Sequence, residues 1–162
     1  MIINIIDRQL NFLGQMDEFE SFMPAKKYYG IGGFELHTYE NARYALDLQK
    51  ENIIFTSADK AYIILYRHIS SITGKLVIKG MELKGYFKRW LVFPPPGEAY
   101  YRVNDRTETI IKTYVQSTLN RKGIANIEVA LDRKRGIKTV YQSRYKNLAS
   151  EIEKIGKVSG LG

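Results

Sequence analysis

Residues 86–119, YFKRWLVFPPPGEAYYRVNDRTETIIKTYVQSTL, contain the point at which the apolar pattern of the chain changes. The first part of this stretch has the spacing of a short strand, and three prolines stop it because proline has no backbone N–H to donate. After the prolines, Asp105 and Glu108 match a capping box, and apolar residues then recur at helical spacing. The sequence predicts an α+β fold that is mainly β, with a first domain over 1–96 and an α/β region over 97–162.

The region before the prolines contains short apolar runs separated by turn residues, which is typical of a small barrel or sandwich. Phe34, Leu36 and Thr38 lie at every second position, which is the period of a half-buried strand. We therefore predict a strand-rich, barrel-like first domain. A short helix is expected at 41–49, capped by Glu40 or Asn41. The predicted strands cover residues 2–6, 10–16, 28–39, 53–56, 61–66, 69–72, 75–79 and 86–93, with turns at 7–9, 57–60 and 73–74.

The region after the prolines is predicted as a helix, a hairpin and a second helix. The predicted elements are a helix over 105–119, a strand over 124–131, a charged turn over 132–136, a strand over 137–142 that pairs back, and a helix over 143–158 capped by Ser143. The apolar face of the last helix would consist of Leu148, Ile152, Ile155 and Val158. The chain stops two residues after Gly160 without a final strand, so we expect this region to be truncated at its carboxy end.

The residue inventory argues against most catalytic chemistry. Cysteine is absent, and histidine occurs only at His37 and His68. Disulfides and thiolate chemistry are thereby excluded, and too few ligands remain for the usual zinc sites. Neither histidine has a Cys, Asp or Glu at ligand spacing, and no serine lies in a nucleophile-elbow motif. The sequence therefore predicts no enzymatic activity, no cofactor and no metal.

Three further patterns each have a structural interpretation that is favoured over a functional one. The glycines of residues 30–33 lack the spacing of a phosphate-binding loop and precede a strand, so we interpret them as turn or bulge glycines. The acidic run 17–22 could supply paired carboxylates for glycoside hydrolysis, but a strand with one wet face explains it more simply. The aromatic residues of 86–93 could stack nucleobases, and a strand with core aromatics and a basic outer face is favoured instead.

The formal net charge of the chain is +8, and most of it comes from residues 121–146. This segment has eight basic residues against Glu128 and Asp132. It could contact phosphate, which makes a nucleic-acid-binding module the alternative function. A solvated loop and helix start is favoured, because no interleaved aromatic motif accompanies the basic residues. The candidate phosphate-contacting residues are Arg133, Lys134 and Arg135.

The sequence predicts neither a signal peptide nor a transmembrane helix. The apolar opening MIINII is followed by Asp7 and Arg8 before a signal-peptide core is complete. Later apolar runs have the length of strands, so a soluble protein without a membrane partner is predicted. Tyrosine supplies 12 of the 20 aromatic residues. Its ring can be buried while its hydroxyl group stays in water, which suits subunit interfaces.

Three stretches together resemble siphovirus and Gram-positive prophage tail proteins related to the baseplate hub of contractile phages. The first combines IINIIDRQLNFLGQMDEFESF (2–22) with GGFELHTYENARYALDLQKENIIF (32–55). The second, GKLVIKGMELKGYFKRWLVFPP (74–95), is similar to the family's Lys-Gly, acidic-Leu and Arg run that ends in proline. The third, YQSRYKNLASEIEKIGKVSGLG (141–162), is similar to its Gln-Ser-Arg-x-x-x-Leu helix and Ser-Gly-Leu-Gly close. The resemblance covers essentially the whole chain.

This resemblance implies a non-enzymatic structural component of a phage tail tip, made in the cytoplasm of the bacterial host. Its β-barrel domains would form a homotrimeric ring that mediates tail assembly and closes or surrounds the tail channel. The implied partners are other copies, tail proteins such as the distal tail protein, and transiently DNA or the tape-measure protein. In such a ring, Arg133, Lys134 and Arg135 would be candidates to face the channel. Family members usually continue further, sometimes into fibre or lytic domains, whose roles do not transfer to these residues.

Overall fold

A computed structural model describes residues 1–57 and 60–161 of the chain, which form two compact units. The first unit contains residues 1–27 and 31–85, and the second contains residues 28–30 together with the chain from residue 86 onward. The predicted division into a hub domain over 1–96 and an α/β region over 97–162 stays a prediction. In the structure, the compact units change over between Gly85 and Tyr86.

The first unit is built on one curled, half-barrel sheet of seven antiparallel strands. Its order along the sheet is β2-β1-β5-β6-β7-β4-β3, so β2 and β3 are the edge strands. The predicted α+β, mainly β fold class is confirmed. The strands are β1 Ile3–Ile6, β2 Phe12–Met16, β3 Ser21–Ala25, β4 Gly33–Tyr39, β5 Ile53–Ser57, β6 Lys60–Ile69 and β7 Lys75–Glu82.

The core of this unit follows the period of two that the sequence shows. Phe34, Leu36 and Thr38 are buried, while Glu35 and His37 between them are half-exposed. Successive strand residues point to opposite faces of a sheet, so one apolar face is buried along each strand. The fully buried members of the core are Ile3, Ile5, Leu36, Leu48, Ile54, Ile64, Leu76 and Ile78.

Most predicted pairings of the first unit are confirmed. The opening hairpin joins β1 to β2, with Ile3 opposite Met16. A second hairpin joins β6 to β7, and Gly74 near its tip has a φ of 64°, which glycine adopts without strain. The strands β5 and β6 pair as predicted, although the predicted turn at 57–60 includes residues 58 and 59, which lie outside the described residues.

Four predictions in the first unit are wrong or need new bounds. The predicted strand 28–39 begins only at Gly33, and the predicted strand 69–72 is absent because β6 ends at Ile69 and residues 71–73 form a turn. The acidic run 17–22 is not a strand along its length, because β3 begins only at Ser21 and extends to Ala25. Pro24 within β3 is compatible with an edge strand, where one row of backbone N–H groups needs no partner. The predicted helix at 41–49 is reduced to a single 3-10 turn over Ala45–Asp47, since Tyr44 before it has a left-handed φ of 64°.

The second unit packs two helices with a two-stranded ribbon. Its elements are β8 Tyr101–Arg106, α1 Thr107–Lys122, β9 Lys138–Ser143 and α2 Leu148–Ser159. The Tyr114 hydroxyl on α1 donates a hydrogen bond of 2.9 Å to the Tyr101 carbonyl oxygen, which ties the helix to the ribbon. The core of this unit consists of Trp90, Val92, Ile110, Tyr114, Val115, Leu119, Leu148 and Ile155.

The strand predicted at residues 86–93 is wrong. A 3-10 helix covers Leu83–Arg89, and only Leu91 makes a bridge, with Asn147. Tyr86 and Phe87 each lie 5.5 Å from Trp90, measured between ring centroids. Phe87 and Tyr86 precede Trp90 by three and four positions. That spacing brings them to the same side of a helical segment rather than of a strand.

The predicted hairpin of 124–131 with 137–142 is also wrong. The strand β9 pairs with β8 instead, with Val103 opposite Tyr141, so the two ribbon strands flank α1 in the chain. Residues 124–131 form neither a strand nor a helix, contain a bend at Asn126 and belong to no sheet. Strand pairing depends on tertiary packing as well as on the local pattern, and here α1 brings a more distant strand to β9.

Both predicted helix starts need correction. α1 begins at Thr107 without a side-chain cap, and the Glu108 carboxylate binds Arg135 rather than closing a capping box. α2 is capped by Asn147, whose Oδ1 accepts from the Ser150 N–H at 3.3 Å, whereas Ser143 is buried in β9. On the predicted apolar face of α2, Leu148 and Ile155 are buried, Ile152 is half-buried and Val158 is 73% exposed.

None of the helices in the described ranges is long and apolar enough to cross a membrane.

Candidate functional site

The net charge of the chain belongs entirely to the residues from Tyr86 onward. Residues 1–85 contain ten basic and ten acidic residues and are formally neutral, whereas residues 86–162 contain fifteen basic and seven acidic residues. The difference of eight equals the net charge of the whole chain. An anionic partner would therefore be attracted to the second unit rather than the first.

The predicted basic site, residues 133–135, lies in a turn that Asp132 holds in place. The Oδ1 atom of Asp132 accepts from the Lys134 N–H at 2.8 Å, and its Oδ2 accepts from the Thr109 hydroxyl at 2.6 Å. These bonds lower the pKa of Asp132, the Thr109 hydroxyl contributing most. Arg133 and Lys134 are exposed, and neither has an ion-pair partner within the described part of the chain. Their charges are available to a ligand.

Arg135 has a different role from its two neighbours. Its Nε donates to Glu108 Oε2 at 2.9 Å, its Nη2 donates to Oε1 at 3.3 Å, and its backbone N–H also reaches Oε2. Lys112 lies 2.8 Å from the same carboxylate. The Arg135 guanidinium, helped by Lys112, holds the pKa of Glu108 well below its usual range. This cluster joins the basic turn to the first turn of α1, so Arg135 positions the turn.

The stability that Glu108 contributes is expected to depend on pH. Because the pKa of this carboxyl is lower in the folded state, its contribution is present above the unfolded value of about 4.3 and is lost as the pH falls through the folded value. Glu108→Gln should therefore destabilise the chain at pH 7, and its disadvantage should shrink below about pH 4. Urea unfolding of both proteins across this range measures the difference. Glu128→Gln is the matched control, since Glu128 is exposed and has no ion pair with any described residue. A disadvantage that stays constant with pH would contradict the assignment.

A second basic surface lies on the outer face of the ribbon, which the sequence reasoning missed. Arg102 and Arg106 on β8 and Lys138 on β9 are exposed and alternate with residues that face α1. Arg106 and Lys138 are direct cross-strand partners. Like charges in that position destabilise a sheet, and no acidic residue lies on this face to offset them. The alternation of Tyr101, Arg102 and Val103 is the signal that could have revealed β8.

The aromatic residues at 86–93 do not form a free stacking platform. Trp90 is 6% exposed and lies in the core of the second unit, where Phe87 packs against it. Phe93 is more open, but the guanidinium carbon of Arg121 lies 3.7 Å from its ring centroid and occupies one face. The favoured interpretation of core aromatics is correct for Trp90, although the segment is not a strand.

The two histidines lie on the sheet of the first unit without a set of metal ligands. His37 Nε2 is 2.7 Å from Glu35 Oε1, two residues away on the same face of β4, which the sequence reasoning did not anticipate. Lys79 and His37 lower the pKa of Glu35, Lys79 contributing more. His68 is exposed and stacks on Tyr66. Across residues 1–57 and 60–161, no three His, Asp or Glu side chains converge as a metal site would require.

A long groove follows α1 in the second unit. Two adjoining cavities of about 620 and 600 Å³ share Gln116, Asn120 and Val129. One side of the groove is α1 and the other is the chain that follows it. The Ile124 N–H donates to the Leu119 carbonyl at one end of this chain, and Lys112 Nζ donates to the Leu131 carbonyl at the other. Between these ties, the N–H groups of residues 125–131 have no acceptor among the described residues. We call residues 125–131 the open segment.

Comparisons with known proteins identify what the chain is similar to. The family described as "Siphovirus ReqiPepy6 Gp37-like protein" matches residues 2–162. Among solved structures, prophage tail protein gp18 from Listeria monocytogenes EGD-e is similar, with a TM-score of 0.69 and 12% sequence identity. The match covers 99% of this chain and 46% of gp18, so the chain spans about half the length of that protein. No curated protein sequence matches significantly. At 12% identity, the likeness to gp18 shows a shared fold.

Proposed function

Because the chain belongs to the family of siphovirus ReqiPepy6 Gp37-like proteins, we propose that it is a structural component of a phage or prophage tail. The observation that carries this proposal is a family match over residues 2–162, joined to the fold of a prophage tail protein over almost the whole chain. The fold alone would not give the function, since one fold serves many roles. The sequence resemblance to tail proteins supplies the step from fold to function.

Within the tail, we place the protein in the hub at the tip, where it would support assembly and the closing of the channel. A curled sheet with two free edges supports this placement, because edge strands pair readily with strands of neighbouring subunits. The expected partners are two further copies in a trimer and other tail proteins such as the distal tail protein. The proposed role is non-enzymatic, which agrees with the absence of cysteine and with only two histidines in the chain.

A map of an assembled tail that carries the full-length protein tests this placement. A tip ring of three copies, each containing the seven-stranded sheet, is the expected result. A position along the tube wall or at the capsid end would refute the hub. The same map also tests whether residues 133–135 face the channel.

A nucleic-acid-binding module is the second candidate function, and one observation favours it. The whole net charge lies from residue 86 onward, with Arg133, Lys134, Arg102 and Lys138 exposed there. If phosphates are bound, the logarithm of the affinity for duplex DNA should fall steeply with the logarithm of salt concentration. Arg133→Gln with Lys134→Gln should then reduce the slope by about two. Binding that is unchanged by these substitutions would remove the candidate.

A further inference from the structure

The open segment has the pattern of a β-strand but lacks a strand beside it. Ile127 and Val129 pack against the core of the second unit, whereas Glu128 and Ala130 between them are exposed. Leu131 at its end is 85% exposed. Seven consecutive N–H groups without an acceptor in the described part of the chain are unusual, because backbone groups in folded chains are nearly always paired. Alternating burial together with unpaired N–H groups is what an edge that receives a strand would present.

Two free edges in the first unit could supply a strand to another copy, and they differ in how well they are protected. β3 contains Pro24, which removes a backbone donor and discourages pairing. β2, with the sequence FLGQM, contains neither proline nor a charged residue, and Phe12 on it is 60% exposed. Edge strands that remain uncovered in a finished protein usually carry such protective residues. β2 is therefore the better match for a partner edge.

The charges beside the two edges are complementary. β2 leads directly into Asp17 and Glu18, both exposed and without an ion pair among the described residues. The open segment is preceded by Arg121 and Lys122 and is followed by Arg133 and Lys134, all of them exposed. Complementary charges at the ends of paired strands steer the encounter and fix the register.

We propose that β2 of one copy pairs with the open segment of a second copy. The contact is heterologous, since each copy presents one surface to one neighbour and a different surface to the other. Repeated contacts of this kind close into a ring when the rotation between copies fits. The inference rests on the proposed function in one respect, which is that a hub ring needs a heterologous contact between neighbouring copies.

Disulfide trapping provides a direct test, because the chain contains no cysteine of its own. Gln15→Cys on β2 and Ala130→Cys in the open segment both replace exposed residues. The two single variants are mixed at high concentration with oxidised glutathione and distinguished by tags of different mass. Met23→Cys on the protected edge β3 replaces Gln15→Cys in the matched control, since Met23 is also exposed. We expect the heterodimer of Gln15→Cys with Ala130→Cys to exceed the control heterodimer by about tenfold, the factor that one or two added hydrogen bonds supply.

Proline substitutions in the open segment identify the pairing edge. Ala125→Pro and Glu128→Pro each remove an N–H that has no acceptor within the described residues, so the fold should persist. In a strand these two N–H groups point to opposite edges, because the positions differ by an odd number. One of the two variants should lower the yield of the trapped heterodimer by about tenfold and the other should leave it unchanged. An unchanged unfolding midpoint from Trp90 fluorescence verifies that both remain folded.

A heterodimer yield equal to that of the Met23→Cys control would overturn the inference, as would two proline variants that both trap at the original yield. Either result leaves the hub proposal standing if the tail map still shows a ring at the tip. A map without that ring, combined with efficient trapping, would instead refute the hub and retain the strand pairing.

Discussion

Replacing Leu148 by alanine is expected to lower the free energy of unfolding by about 2–5 kcal/mol. Leu148 is fully buried at the start of α2, in the core that contains Trp90. The loss combines the apolar contacts of the side chain with the cavity left in a close-packed interior. Urea unfolding followed by the fluorescence of Trp90, the single tryptophan of the chain, reports on the same core.

Val158→Ala is the matched control for this experiment, because Val158 lies on the same helix and is 73% exposed. It should change the unfolding free energy by less than about 0.5 kcal/mol. Ile152→Ala should fall between the two, since Ile152 is only half-buried. If Leu148→Ala and Val158→Ala unfold at the same urea concentration, the assigned buried face of α2 is wrong.

Gly80→Ala is expected to cost at least about 3 kcal/mol, the upper range for overpacking, and to disrupt the seven-stranded sheet. Gly80 lies on β7 opposite Ile64, beside an irregularity in the pairing of β6 and β7. A Cβ atom at this position would collide with the carbonyl oxygen of Ile63 and with the Phe34 ring. A carbonyl held in a sheet moves far less easily than a side chain, so the strain must separate the strands.

His68→Ala on the neighbouring strand β6 is the control for Gly80→Ala, because His68 is exposed and its removal leaves the core intact. Thermal unfolding followed by far-ultraviolet circular dichroism compares the two with the unchanged chain. If the Gly80→Ala and His68→Ala proteins melt at the same temperature, β6 and β7 can separate locally without loss of stability.

The strands of the first unit could be predicted because their patterns are local. Alternation at Phe34, Leu36 and Thr38 and the turn at Gly74 each depend on a few neighbouring residues. The resemblance to siphovirus and prophage tail proteins is likewise confirmed. The predictions that are wrong concern elements whose structure is determined by tertiary packing. The pattern of the aromatic run 86–93 is compatible with a strand and with helical turns alike. Packing in the core around Trp90 determines which of the two forms.

The candidate site was harder to predict, since it depends on which segments come together. The sequence identified Arg133, Lys134 and Arg135 as one basic group, but the structure separates Arg135, which binds Glu108, from the other two. Local spacing predicts a capping box at Glu108, because a partner 27 residues away cannot be read from that spacing. The open segment was predicted as a strand from its alternation, and its lack of a neighbour could be seen only in the structure.

The division of the chain into a neutral and a cationic part has a practical consequence for handling the protein. A cation-exchange matrix or a sulfated polysaccharide should retain the chain through its second unit, because the first unit has no net charge. Molecules held in this way are all attached through the same unit of the chain.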